Sequence, residues 1–212
     1  SSCYIFVSDV HLSAHISSSH LKAFCSFLSE KAVQADALYL LGDLFDYWTG
    51  SGMLKEEGLH PVFASLRNVS ESGTLIHLIP GNRDFLLGRA EAGQMGMITA
   101  AGEALDVELN GLRLFLTHGD MFCTFDAAYQ RMKRVLRSPV TLALIRFIPG
   151  SLRGTLARTL RRHSAKVKKQ KTVKETSLNL LSIQDVIKKG FSAVICGHVH
   201  HADDRMLPEG GR

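Results

Sequence analysis

The chain is 212 residues long, 45% apolar and 21% charged, long enough to bury a substantial core and too apolar for a disordered polymer. No secretory h-region opens it and no apolar run approaches the ~18 residues of a membrane span, so we expect one folded domain, with at most one elaboration, that can touch a membrane without crossing it. The four cysteines (Cys3, Cys25, Cys123, Cys196) show no CxxC or zinc-ribbon spacing, which favours a reduced, intracellular protein over a disulfide scaffold.

The elements follow in order. Tyr4–Val7 is a short apolar run with the character of a buried parallel strand, and Asp9 and His11 come at its exit. Leu21, Phe24, Cys25 and Leu28 then recur at spacings of three and four on one helical face, and Leu38–Leu41 is the next strand, ending abruptly in Gly42-Asp43. A second helix is expected over Leu59–Ser70 and a third strand over Leu75–Ile79, before Pro80-Gly81-Asn82-Arg83-Asp84. After Gly102 the pattern alternates through Ala104–Leu109 and Leu112–Leu116. Asn110-Gly111 between them is a strong hairpin signal, because a type I′ turn needs positive φ at both central residues. That second hairpin strand delivers Thr117-His118-Gly119-Asp120, and Ala193–Cys196 delivers Gly197-His198-Val199-His200.

The charge is unevenly distributed. The net is +5, yet fourteen of the 25 Lys and Arg lie between Arg131 and Lys174, a stretch with no Asp or Glu, leaving eleven basic against twenty acidic residues elsewhere. Two surfaces of opposite sign are implied, an acidic body suited to divalent cations and a basic segment suited to phosphate or an anionic membrane. Within the basic stretch, Pro139–Pro149 is apolar on nearly every side and is followed by Arg153, Arg158, Arg161 and Arg162. A helix apolar all round has to be covered by protein, lipid or ligand. A nucleic-acid partner is not expected, since no aromatics for base stacking interleave the charges beyond Phe147.

Each strand-end cluster alone is weak, but together they supply oxygen and imidazole donors without thiolate, a set that suits Mn, Fe, Zn or Co. Two such ions ~3.5–4 Å apart hold a shared hydroxide for in-line attack at phosphorus. We expect Asp9, His11 and His200 at one ion, Asn82, His118 and His198 at the other, and Asp43 between them. In Asp9-x-His11 and His198-x-His200 the alternation of an extended segment would point both side chains one way. Asp46, Asp84 and Asp120 are either groups that orient the imidazoles or Arg83, or turn and cap residues.

DVH at Asp9, GDLFD at Gly42, GNRD at Gly81, THGD at Thr117 and GHVH at Gly197, in this order, resemble the five-block signature of the calcineurin-like metallophosphoesterases. The resemblance runs from Asp9 to His200. Within that superfamily, GNRDFLL and HGDMFCTFDAAYQ are similar to the UDP-2,3-diacylglucosamine hydrolases of the lipid A pathway, which split a UDP-sugar lipid into UMP and lipid X. The resemblance implies an αββα sandwich of two mixed sheets flanked by helices, with a helical lid inserted before the last block. It also implies two divalent ions, Mn2+ by preference, and a monomer in the cytoplasm that associates peripherally with the inner membrane. On this reading residues 1–130 form the first part of the core, 131–175 the lid and 176–212 the second part of the core, with the second sheet completed either by further strands beyond Arg212 or by closing the fold some other way. Asp43, Asn82 and Arg83 would be catalytic. Substrate would be held by Asn82, Arg83, Asp126, Tyr129, Arg161, Ser164, Lys168, Lys171 and His198, although Lys168 stands where many relatives have Asn.

Arg83 departs from superfamily members that carry His in that block to protonate a basic leaving group. Expelling a phosphate monoester, whose second pKa is about 6, requires no acid, and a permanent cation that stabilises charge on phosphate suits it better. The bland alternative is that Arg83 only pairs with Asp84. Besides hydrolysis of the diacylated UDP-sugar, another nucleotide diphosphate or phosphoester fits the residues, and a non-catalytic module would be expected to have lost ligands.

Overall fold

The computed structural model describes residues 2–14, 18–150, 152–157, 159, 177–207 and 210–212. Two sheets stack face to face between helices. The first has the order β1 (Tyr4–Val7), β2 (Ala37–Leu40), β3 (Leu75–Leu78), β4 (Met97–Thr99), all parallel. The second has the order β5 (Ala104–Leu109), β6 (Leu112–Thr117), β7 (Ala193–Cys196), with an antiparallel hairpin and a parallel pair. The first sheet is thus parallel throughout among the described residues, and only the second is mixed.

The layering follows from strand alternation. In β2, Leu38 and Leu40 face helices α1 (Ser18–Glu30), α2 (His60–Glu71) and α3 (Arg89–Gln94), meeting Phe24, Leu28, Val62, Phe63, Leu66 and Ala92. Ala37 and Tyr39 face the other way, onto Leu114 and Leu116 of β6 and Ile195 of β7. Phe115 and Val194, one residue out of phase, lie against helix α6 (Leu180–Ile187) with Ile183, Val186 and Ile187. Helices, sheet, sheet, helix is the αββα order. All three crossover helices of the first sheet share one face, as same-handed crossovers between sequential parallel strands require.

Tyr4–Val7 is only half-buried, not buried as its composition suggested, because β1 is the edge strand of the described sheet. The hairpin turn forms with Asn110 at φ +52° and Gly111 at +77°, both left-handed. Two elements carry no strong pattern in the sequence. Strand β4 has three residues, too few for a readable alternation, and α3 has six. No described helix is long and apolar enough to cross a membrane.

Two further helices lead into the basic segment, α4 (Ala127–Leu136) and α5 (Pro139–Phe147). Helix α5 is not packed core. Val140, Leu144 and Phe147 are 70%, 61% and 86% exposed, so the side that carries them is uncovered among the described residues, while Leu142 turns toward Pro80, Phe85 and Leu87. The basic segment is also not simply a solvated surface, because Lys133 is buried and ion-paired.

Burial sets the expected cost of truncation. Leu38→Ala, at a fully buried position between α1, α2 and the sheet, should lower unfolding free energy by ~2–5 kcal/mol, and Leu75→Ala, exposed on β3, should stay within about 0.5 kcal/mol. Denaturant titration of both variants compares them directly.

Candidate metal centre

Parallel pairing brings the C-terminal ends of β1, β2 and β3 to one edge of the first sheet, and of β6 and β7 to one edge of the second. Asp9, Asp43, Asn82, His118 and His198 all follow these exits, where open α/β sheets place ligands. The backbone there is unusual. Among the described residues six non-glycine positions have positive φ, and five are Asp9 (56°), His11 (55°), Asp43 (52°), His198 (75°) and His200 (53°). Their side chains converge through left-handed turns. The extended alternation expected for Asp9-x-His11 and His198-x-His200 is therefore wrong in mechanism, because both segments leave strand geometry before the side chains are aimed.

The loops are stitched to one another. The N–H groups of Asp9 and His11 donate to the carbonyls of Gly42 (3.1 Å) and Asp43 (2.9 Å). Gly42, at φ +83°, lies so close to the next exit that a Cβ there would sit 2.7 Å from both Gly81 Cα and His118 Nδ1. Asp84 is the clasp. Its carboxylate, fully buried, accepts the N–H groups of Gly81 (2.7 Å), Leu44 (2.8 Å) and Asp43 (3.3 Å). Burial pushes its pKa up to about 6, with the charge of Asp43 adding to the rise and these N–H groups opposing it.

Two groups of side chains meet at this edge. His200 Nε2 lies 3.2 Å from His11 Nε2 and 3.3 Å from Asp9 Oδ1. Asp9 Oδ2 is committed to Ser8 Oγ (2.6 Å) and the His198 N–H (2.8 Å), whereas Oδ1, buried, makes no hydrogen bond. On the other side His118 Nε2 is 2.9 Å from Asn82 Oδ1 and 3.1 Å from His198 Nδ1. His118 Nδ1–H donates to the Leu41 carbonyl at 2.9 Å, which leaves Nε2 a lone pair facing the Asn82 oxygen. Asp43 lies between the groups, Oδ1 3.7 Å from His118 Nε2 and Oδ2 4.0 Å from His11 Nδ1. Asp9 also approaches both. One donor atom each from Asp9, His11 and His200, and one each from Asp9, Asp43 and His118, lie within 4.8 Å of one another.

These residues fit cations. Burial, reinforced by Asp9 and Asp120 and opposed by the Arg83 N–H and guanidinium, pushes Asp43 up to about 7, the behaviour of a carboxylate among anions that one nearby cation does not fully offset. Burial and the Arg83 charge push His11 down to about 4, so its imidazole is neutral and one ring nitrogen keeps a lone pair, as ligation requires. Acceptor facing acceptor, as in Asn82 Oδ1 and His118 Nε2, is unfavourable unless a positive charge joins them.

The remaining site residues divide by position. Arg83 does not pair with Asp84. Its Nη1 holds Asp46 Oδ1 at 2.8 Å and its Nε lies 3.4 Å from Asp43 Oδ2, while its N–H donates to Asp43 Oδ1 at 2.9 Å. Asp84 has its oxygens filled by backbone, so Arg83 turns to the GDLFD loop. The Arg83 carbonyl accepts the N–H of Trp48 (3.0 Å), whose buried indole packs on Phe45 and Phe63. Asp126 is the N-cap of α4, accepting the Tyr129 N–H at 3.0 Å. The Tyr129 ring centroid stands 6.2 Å from that of His198, and its hydroxyl donates to Asp120 at 2.7 Å. Arg161, Ser164, Lys168 and Lys171 lie outside the described residues. Sequence reasoning missed Lys133, Glu103 and Arg137, which join Asp120 in an ion-pair network beside the centre.

Curated relatives decide the family. UDP-2,3-diacylglucosamine hydrolases of Pseudomonas paraeruginosa and Pseudomonas aeruginosa are 36% and 37% identical over 209 residues, covering 98% of this chain and 86% of theirs. That of Photorhabdus laumondii is 38% identical, over 97% of this chain and 85% of its own. The chain belongs to the UDP-2,3-diacylglucosamine hydrolase family. No family model matches it.

The clasp is testable without substrate. Asp84→Ala leaves three buried N–H groups without an acceptor, and should lower unfolding free energy by about 3 kcal/mol or more, read from denaturant melts.

Proposed function

We propose that the chain is a dinuclear-metal hydrolase that cleaves the pyrophosphate of UDP-2,3-diacylglucosamine to UMP and lipid X. The observation that carries this is the pair of donor groups on either side of Asp43, at the strand exits of a member of that hydrolase family. Asp9, His11 and His200 would hold one divalent ion and Asn82, His118 and His198 the other, with Asp43 reaching both through its two oxygens. Two such ions, Mn2+ in our reading, would supply Lewis acidity and lower the pKa of water at the site.

The chain's own groups do the rest. The Leu41 carbonyl keeps the proton of His118 on Nδ1, so Nε2 stays directed into the centre. Asp46 and Asp43 hold the guanidinium of Arg83 at the rim, where it would accept the negative charge that builds on the phosphate oxygens. No residue need protonate the leaving phosphate monoester. Asn82 is neutral, which keeps the summed ligand charge low and the ions electrophilic.

The apolar side of α5 exposed beside a diphosphate-binding centre favours a diacylated substrate over a bare nucleotide sugar. In this reading residues 131–175 are a lid, α5 receives acyl chains, and the surrounding Lys and Arg meet an anionic inner-membrane surface from the cytoplasmic side. The deciding assay offers the purified protein UDP-2,3-diacylglucosamine, UDP-glucose and a generic phosphodiester, and follows UMP. Release from the diacylated substrate is expected, and equal turnover of all three would overturn the assignment.

Asp43→Ala should abolish turnover and loosen both ions, because in this reading its carboxylate, between the two groups, would be shared by both. Metal analysis of the variant reads this, and two retained ions with near-native activity would remove Asp43 from its role. Arg83→His should slow the diphosphate reaction by about 2 kcal/mol or more in activation free energy, on the scale of other lost electrostatic donors, measured beside an activated ester. Serine at both Leu144 and Phe147 should raise KM for the diacylated substrate, since each buried apolar side chain contributes ~1.5–3 kcal/mol, with less effect on short-chain analogues.

A further inference from the structure

Helix α4 presents Tyr129, Lys133 and, at its C-cap, Arg137 at spacings of four, so the three side chains form one stripe. The stripe faces the exits of β3 and β6. Arg137 donates through Nη2 to the Gly81 carbonyl (2.8 Å) and through Nη1 to Glu103 (2.7 Å), and its guanidinium lies 5.7 Å from the Phe85 ring. Gly81 and Phe85 bracket Asn82 and Arg83, so one side chain holds both ends of that loop. Lys133, buried, places its ammonium 2.9 Å from Asp120 Oδ2 and 2.8 Å from Glu103. Asp120 lies two residues beyond His118 and also accepts the Tyr129 hydroxyl. Glu103 ties the two cations together.

Lys133 and Arg137 therefore hold, on the His118 side and the Asn82 side respectively, the two loops whose donor atoms meet 2.9 Å apart. No contact of this stripe reaches Asp9, His11 or His200 among the described residues. We propose that α4 is a clamp on one half of the metal centre, with Lys133 and Arg137 as positioning residues that set the affinity of the Asn82, His118 and His198 group and leave the Asp9, His11 and His200 group untouched. This rests on the two-ion reading above. The physical reason is that a carbonyl and a carboxylate, each fixed by a cation one helical turn from the other, keep the separation of the two loops constant while the cation site is filled. Arg137 also precedes Ser138, the N-cap of α5, so the clamp sits at the root of the apolar helix.

The test is a Mn2+ binding isotherm on the full chain, with free Mn2+ read by electron paramagnetic resonance and the melting temperature of the metal-free protein measured alongside. Arg137→Gln and Lys133→Met should weaken one of two binding steps tenfold or more, the range seen when groups behind metal ligands are lost, and hold the other within twofold. Arg137→Lys should not restore affinity, because an ammonium lacks the fork that reaches Glu103 and the Gly81 carbonyl together. Arg134→Gln, on the exposed side of the same helix, should bind as the wild type does. Equal weakening of both steps, no weakening of either, or full recovery with Arg137→Lys would overturn the clamp. If the wild type takes up a single ion, the two-ion reading fails, and unchanged affinity for that ion in Arg137→Gln overturns the clamp as well. Failure of the wild type to release UMP counts against the proposed reaction alone, since the isotherms decide the clamp without substrate.

Discussion

The centre depends on left-handed backbone at residues that resist it. A non-glycine residue in that region costs roughly 1–3 kcal/mol, and Asp9, His11, Asp43, His198 and His200 all occupy it. The cost is offset locally by the hydrogen bonds that join the β1 and β2 exits, by the Leu12 to Phe45 bridge and by the buried Asp84 carboxylate. It is also supported from below, because the sheets that end in these turns are packed on both faces. Stability made in the core is thus used to hold polar side chains where they repel one another.

Charge is arranged by the same logic. Asp9, Asp43, Asp84 and Asp120 are drawn into one end of the molecule, and Arg83, Lys133 and Arg137 answer them from its rim. Asp120 keeps its carboxyl below the ordinary range although burial would raise it, because Lys133, Tyr129 and Arg137 all favour the anion. Asp43 has fewer such partners and rises. The difference between these two carboxylates follows from the number of cations and donors that the fold sets beside each.

Strand and helix periods were readable wherever elements were long or bounded by Gly and Asn-Gly, so β1, α1, β2, α2, β3 and the β5–β6 hairpin stood out before any coordinates. The seven donor residues stood out because polar groups at the ends of apolar runs have no packing role there. What sequence could not carry was geometry that depends on distant partners. Nothing local says that Asp84 would accept backbone N–H groups, which frees Arg83 for Asp46, or that the Asp-x-His pairs turn left-handed. The charge count likewise treated Lys133 and Arg137 as surface, since Glu103 and Asp120, their partners, lie outside the acid-free stretch that was counted. The spacing of Tyr129, Lys133 and Arg137 was visible, but a polar stripe on a helix ordinarily faces water.

Trp48 is the sole tryptophan of the chain; its buried indole is tilted against Phe45, and its backbone N–H donates to the carbonyl of Arg83. Its main chain therefore holds the loop that carries the proposed phosphate-facing cation, while its indole lies in apolar surroundings against Phe45 and Phe63, with no second indole to dilute its emission. The molecule contains its own optical gauge of that loop, and intrinsic fluorescence follows its environment in unlabelled protein.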